Sequence, residues 1–171
     1  MIIKSFELDK IDLKKNNCYL FYGENEGLKN QIIENNFKKK YSKKTFYYDE
    51  NEILNNKDNF FDAILTKSFF ENEKLIIINR STDKIIFIVE EILEKKINDL
   101  VLIFNSASLE KKSKLRSLFE KKKEIVCIAF YEDNNQTLSS IISQFFKNNN
   151  IPISQQSINL IVNRCKGDRQ N

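Results

Sequence analysis

Five short apolar runs punctuate the chain: CYLFYG (18–23), TFYYD (45–49), KLIIIN (74–79), DLVLIFN (99–105) and EIVCIAFY (124–131). Runs that stay apolar at successive positions, rather than at alternate ones, read as strands buried on both faces, the situation in parallel sheets. Between the runs the period changes to that of a helix. Leu28, Ile32, Ile33, Phe37 and Tyr41 separate the first two runs, and Ile53, Leu54, Phe60, Phe61, Ile64 and Leu65 the next two. Ile85, Ile88, Val89, Ile92 and Leu93 follow, then Leu115, Leu118 and Phe119, and finally Leu138, Ile141, Ile142, Phe145 and Phe146. Strands alternating with helices predict βαβ units. The expected fold is therefore α/β, a three-layer domain with a five-stranded parallel sheet.

A break follows the last helical stretch. Asn148, Asn149 and Asn150 precede Ile151-Pro152, and a residue before proline is biased away from helix. The first domain is thus expected to span 1–149. SQQSINLIVNRC then regains helical spacing through Ile158, Ile161 and Val162, and the chain closes on KGDRQN. About twenty residues cannot bury a core of their own. Residues 150–171 are therefore expected to be the truncated start of a helical lid domain, and the chain a fragment.

Composition narrows the chemistry. Of 171 residues, 41% are hydrophobic and 30% charged, which is a globular balance. Lys, Ile and Asn dominate while Gly (3) and Pro (1) are scarce, the bias of an AT-rich genome, so tracts such as KKK and NNN carry little functional weight. A net charge of +4 permits an anionic partner without requiring one. Histidine is absent, which removes the usual general base and the commonest metal ligand. Cys18, Cys127 and Cys165 are far apart with no CxxC, against zinc and against a disulfide framework. Cys18 and Cys127 are expected to be core thiols. Lys4, Glu7, Asp9 and Lys10 interrupt any signal peptide, and no apolar run approaches the roughly 20 residues of a membrane span. The expected location is the cytoplasm, with no membrane partner.

The first strand runs through YGENEGLKN (22–30) into a helix, the place where a P-loop carries GxxxxGK[ST]. Here Gly23 and Gly27 are one residue too close, Leu28 separates Gly27 from Lys29, and Asn30 stands where the magnesium-binding hydroxyl belongs. Two acids, Glu24 and Glu26, occupy the loop. Gly23, Gly27 and Lys29 are therefore read as a degenerate phosphate loop that does not bind. The third strand ends in Asn79 and Arg80 instead of the acids that would activate water. Asp49 and Glu50 follow the second strand, where an acidic pair could hold a ribose; a helix capping box of Asp49 with Glu52 accounts for them more simply. No catalytic residue, cofactor or metal is expected.

Four stretches in this order, YLFYGENEGLKNQII, NFFDAILTKSFFENEKLIIINRS, LEKKSKLRSLFEKKKEIVCIAFYEDN and KGDRQN, resemble the delta subunit of bacterial DNA polymerase III. The resemblance covers nearly the whole chain. It implies an AAA+-like domain with a dead nucleotide site, and a role in opening the ring-shaped sliding clamp for loading on primed DNA during replication. The implied partners are the clamp, the ATPase subunits and delta prime of the loader, and DNA within the assembled complex. Polymerase activity belongs to the holoenzyme, not to this subunit. Family members carry a small-apolar-apolar element before the third strand, often Ser-Leu-Phe, and it maps here onto Ser68, Phe69 and Phe70. Leu65, a turn earlier, is expected to be core. Delta prime would carry an SRC motif after the fourth strand, whereas this chain reads FNSASLEKKSKLR. The basic EKKSKLR run is taken as a solvated helix face, and no DNA contact is assigned to a named residue. Two other functions stay open: a small P-loop NTPase and a delta-prime-like scaffold.

Overall fold

The computed structural model describes residues 2–4, 16–39, 45–65, 74–95 and 100–169. Among the described residues six parallel strands form one sheet: β1 (Ile2–Lys4), β2 (Cys18–Gly23), β3 (Thr45–Asp49), β4 (Lys74–Asn79), β5 (Leu100–Ser106) and β6 (Val126–Phe130), in the order β1-β6-β2-β5-β4-β3. The five apolar runs are five of these strands. The expectation of five is corrected by β1, which pairs Ile2 with Cys127 and Ile3 with Ile128. A strand of three residues is too short to register as a run. As an edge strand it also buries only one side, with Ile3 8% exposed and Ile2 60%.

Alternation along the strands divides the core. Leu20, Ile76, Ile78, Leu102 and Phe104 face one layer, built from α2 (Glu50–Asn55), α3 (Lys57–Leu65), α4 (Ile86–Glu94) and α5 (Lys114–Lys121). Tyr19, Phe21, Leu75, Ile77, Ile103 and Ile128 face the other, covered by α1 (Glu26–Ile32) and its π-helical continuation Ile33–Lys38. Phe37, in that continuation, packs edge-on against Tyr19 and Phe21 at centroid distances of 5.0 and 5.7 Å. Residues alternate faces along a strand, so the two layers take odd and even positions of the same apolar runs. Leu65 departs from the expectation that it is core. The inward face of α3 is formed by Phe60, Phe61 and Ile64, and Leu65 is turned away from it and 44% exposed.

After β6, α6 (Asn135–Asn148) and α7 (Gln155–Cys165) pair with each other around a small separate cluster of Leu138, Ile158, Val162 and Cys165. Of the apolar face expected on α6, only Leu138 is buried. Phe145 is 60% exposed, because past the first turns α6 has little to pack against.

The start of α5 is tied to the exit of β4. The Asp83 carboxylate accepts from the Ser113 hydroxyl (2.7 Å) and from the amides of Leu115 (2.9 Å) and Lys114 (3.0 Å). Removing it strands donors of a helix first turn, so Asp83→Ala is expected to cost about 1–2 kcal/mol in urea unfolding at pH 7. Burial pushes this carboxyl up, but the bonds from Ser113, Leu115 and Lys114 outweigh it and hold the group below its usual value. A depressed folded pKa stabilises above the unfolded value of about 4, and that stabilisation is lost as pH falls through the folded one. The deficit of the variant should therefore shrink in acid.

Candidate functional site

β2 ends at Gly23, whose φ of +126° is open to glycine and rare for other residues. A Cβ there would lie 2.0 Å from the carbonyl oxygen of Phe130. This close approach seats the turn 24–25 against the end of β6. Asn25 is almost wholly buried. Its Oδ1 accepts from the Leu28 amide (2.9 Å) and caps α1, while its Nδ2 donates to the Tyr131 carbonyl and the Asp133 carboxylate, both at 3.0 Å.

The turn brings Gly23, Gly27 and Lys29 together as the sequence suggests, but Lys29 points inward. Its ammonium is 0% exposed and donates to the Ser106 carbonyl at the end of β5 (2.6 Å) and to Glu26 (2.7 Å). Burial lowers the pKa of this amine and Glu26 partly restores it. A P-loop lysine has to reach outward to a ligand's phosphates; this one is spent on protein acceptors.

Beyond the ends of β4 and β5 lies a cavity of about 440 Å³, lined by Glu26, Asn79, Arg80, Thr82, Asn105 and Ser106 among others. Its polar groups are largely turned on one another. Asn105 Nδ2 donates to Asn79 Oδ1 (3.2 Å), and the Arg80 guanidinium holds Asp49 through Nε (3.1 Å) and Nη2. Arg80 has a left-handed φ of 57°. Asp49 also forms the expected capping box, its amide donating to Glu52 (2.9 Å). Asn105 Oδ1 alone among the described buried side-chain atoms lacks a hydrogen-bond partner. At the ends of β4 and β5 the cavity is thus lined by the amides Asn79 and Asn105 and the arginine Arg80.

Ser68, Phe69 and Phe70 lie outside the described residues. The nearest described positions are Leu65, the end of α3, and Lys74, the start of β4, whose ammonium donates to the Ala63 carbonyl (3.2 Å). Burial raises the Cys18 thiol and moves the Cys127 thiol up to about 12, as inert core cysteines require. Among the described residues no group of three or more Cys, Asp or Glu is placed to hold a metal, and no helix is long and apolar enough to cross a membrane. Sequence reasoning missed Asn25, Asp133 and Arg169. Asp133 and Arg169 are 36 positions apart, and such distant polar partners leave no local pattern.

Fold and site together define a parallel three-layer α/β domain in which Lys29 of α1 is bound inward to Ser106 and Glu26. The chain belongs to the family of DNA polymerase III delta subunits, whose model matches residues 19–129. Among solved structures it is similar to the Bacillus subtilis DNA clamp loader delta protein (YqeN), with a TM-score of 0.57 and 16% identity over 92% of this chain and 51% of that one. It thus spans about half the length of that protein. Domain III of the Thermotoga maritima replication initiation protein DnaA aligns at a TM-score of 0.49 and 13% identity, over 97% of this chain and 75% of that one. No curated protein sequence matches the chain significantly. At 16% identity the likeness to the clamp loader delta protein speaks for the fold alone.

Proposed function

We propose that this chain is the sheet-bearing part of a clamp-loader subunit that docks on the sliding clamp and helps to open it for loading on primed DNA. The observation that carries this reading is the family match over residues 19–129. In this reading residues 1–149 are an AAA+-like domain with a degenerate phosphate loop at Gly23, Gly27 and Lys29, and residues 150–171 begin a lid. The partners are the clamp, the ATPase subunits and delta prime of the loader, and DNA inside the assembly, in the cytoplasm. The subunit performs no catalysis itself.

Ser68, Phe69 and Phe70 are the docking element. Two adjacent aromatic residues followed in sequence by the polar Glu71, Asn72, Glu73 and Lys74 have the composition of a binding hot spot for an apolar pocket. The test is surface plasmon resonance against immobilised sliding clamp, with wild type and with Phe69→Ala/Phe70→Ala. Binding by the wild type and its loss in the variant support docking through this element. A wild type with no clamp affinity would leave a delta-prime-like scaffold.

The filled turn supports a subunit without nucleotide chemistry. Calorimetry with millimolar Mg-ATP is expected to give no binding heat, since Lys29 is already paired with Ser106 and Glu26. Micromolar affinity would instead mark a small P-loop NTPase.

A further inference from the structure

We propose that Asn25, Asp133 and Arg169 form a latch that holds the α6–α7 pair to the turn after β2 without the help of any ligand. The Asp133 carboxylate receives Arg169 in the two-pronged geometry, Nε to Oδ2 at 2.7 Å and Nη2 to Oδ1 at 2.5 Å. The side chains of Arg169 and Asp133 are only 14% and 6% exposed. Asn25 Nδ2 donates to the same Oδ2 at 3.0 Å. The third arm of the guanidinium, Nη1, donates to Gln31 on α1 at 2.7 Å. The backbone closes the arrangement: the Asp133 amide donates to the Gly167 carbonyl at 3.1 Å, just past the end of α7. The residues after α7 are thereby fastened both to the segment between β6 and α6 and to α1.

The surrounding packing makes this polar joint decisive. Leu138, Ile158, Val162 and Cys165 form a cluster of their own, distinct from the two clusters that flank the sheet. The orientation of α6–α7 is therefore set chiefly by directional bonds, and a buried guanidinium–carboxylate fork is the most directional pair available to side chains. Asn25 contributes as a relay, because the amide that caps α1 also fixes the acceptor of Arg169. Lys29, in the middle of α1, is likewise bonded to protein atoms, Glu26 and Ser106, and every bond of the joint is made between groups of the chain itself. Asn25, Asp133 and Arg169 are positioning residues: they set where the helical pair points.

The test measures orientation. Nitroxides placed on Asp58→Cys in α3 and Asn159→Cys in α7 report the spread of distances between sheet layer and helical pair; the native cysteines are buried and stay unlabelled. A narrow distribution is expected for the otherwise wild-type chain. Asp133→Asn and Arg169→Met should each broaden it by about twofold or more, as local opening does, while hydrogen exchange in β4 and β5 stays slow. Arg169→Lys keeps the charge without the fork and should fall between; it decides the matter if the stronger variants do not fold. Millimolar Mg-ATP should leave every distribution unchanged. The latch is refuted if Arg169→Met and Arg169→Lys stay as narrow as wild type, if the wild type is already broad, or if Mg-ATP narrows any of them. Ser68, Phe69 and Phe70 are intact in all these proteins, so clamp docking is tested separately.

Discussion

Gly23→Ala is expected to leave little folded protein. The added methyl would sit 2.0 Å from the Phe130 carbonyl oxygen and 2.8 Å from its carbon, both backbone atoms of β6 held in the ladder with β2. No rotamer change relieves a clash with a paired strand, so the turn or the strand must move. The substitution also forces an alanine to φ +126°, where L side chains are rarely found. Clash and strain act together, and a loss above about 4 kcal/mol is expected, a large share of the typical 5–15 kcal/mol of a domain. In urea, with a slope of about 2 kcal/mol/M, the midpoint should fall by roughly 2 M. Gly167→Ala provides the contrast. That glycine also has positive φ (+83°), but a Cβ there meets nothing closer than 3.5 Å. Strain without a clash should cost only about 1 kcal/mol. Equal midpoints for the two variants would show that the β2–β6 contact is softer than the geometry implies.

Phe69→Ala with Phe70→Ala is expected to reduce clamp affinity by close to a thousandfold. Truncating a well-seated aromatic anchor removes about 2 kcal/mol or more, and two such losses approach 4 kcal/mol. The single variants should share the loss unequally. Phe70 matches the aromatic that family members place at the last position, and Phe69 stands where leucine is frequent. Phe69→Leu should therefore bind at least as well as the native residue, and Phe70→Ala should be the weaker of the two single alanine variants. The effect should appear in the dissociation rate rather than in association, as interface truncations usually do. Full affinity in the double variant would place the contact elsewhere on the chain.

The strands were legible because burial on both faces demands apolar residues at every position, and LIII or LVLIF satisfies that demand without reference to anything distant. β1 was not, since Ile2 and Ile3 are only two residues before the polar Lys4 and Ser5 and owe their strand to Cys127 and Ile128 on β6. Leu65 followed the helical spacing of α3 yet missed its inward face, because Phe60 and Phe61 take adjacent positions and turn the buried stripe away from it. In the turn after β2, sequence marked Gly23, Gly27 and Lys29 through their resemblance to a phosphate loop. It could not show where the lysine goes, since its partner is a backbone carbonyl 77 positions away. Backbone acceptors are the same at every residue and leave no trace in the composition. The Asp133–Arg169 pair was hidden for a related reason: in a chain that is 30% charged, any acid has many candidate partners, and only the fold selects one.

The parallel pairing of β1 with β6 sets an order of events during synthesis. Ile2 and Ile3 are synthesised well before their partners Cys127 and Ile128, which emerge only after β2 to β5. Pairs so far apart in sequence carry a large loop-closure cost and form late. Until β6 is in place, β1 waits without its partner, and so does the open side of β2. Completion of the sheet is a single late step that closes both, and a ribosome-bound chain ending before residue 126 should remain accessible to chaperones and proteases at β1.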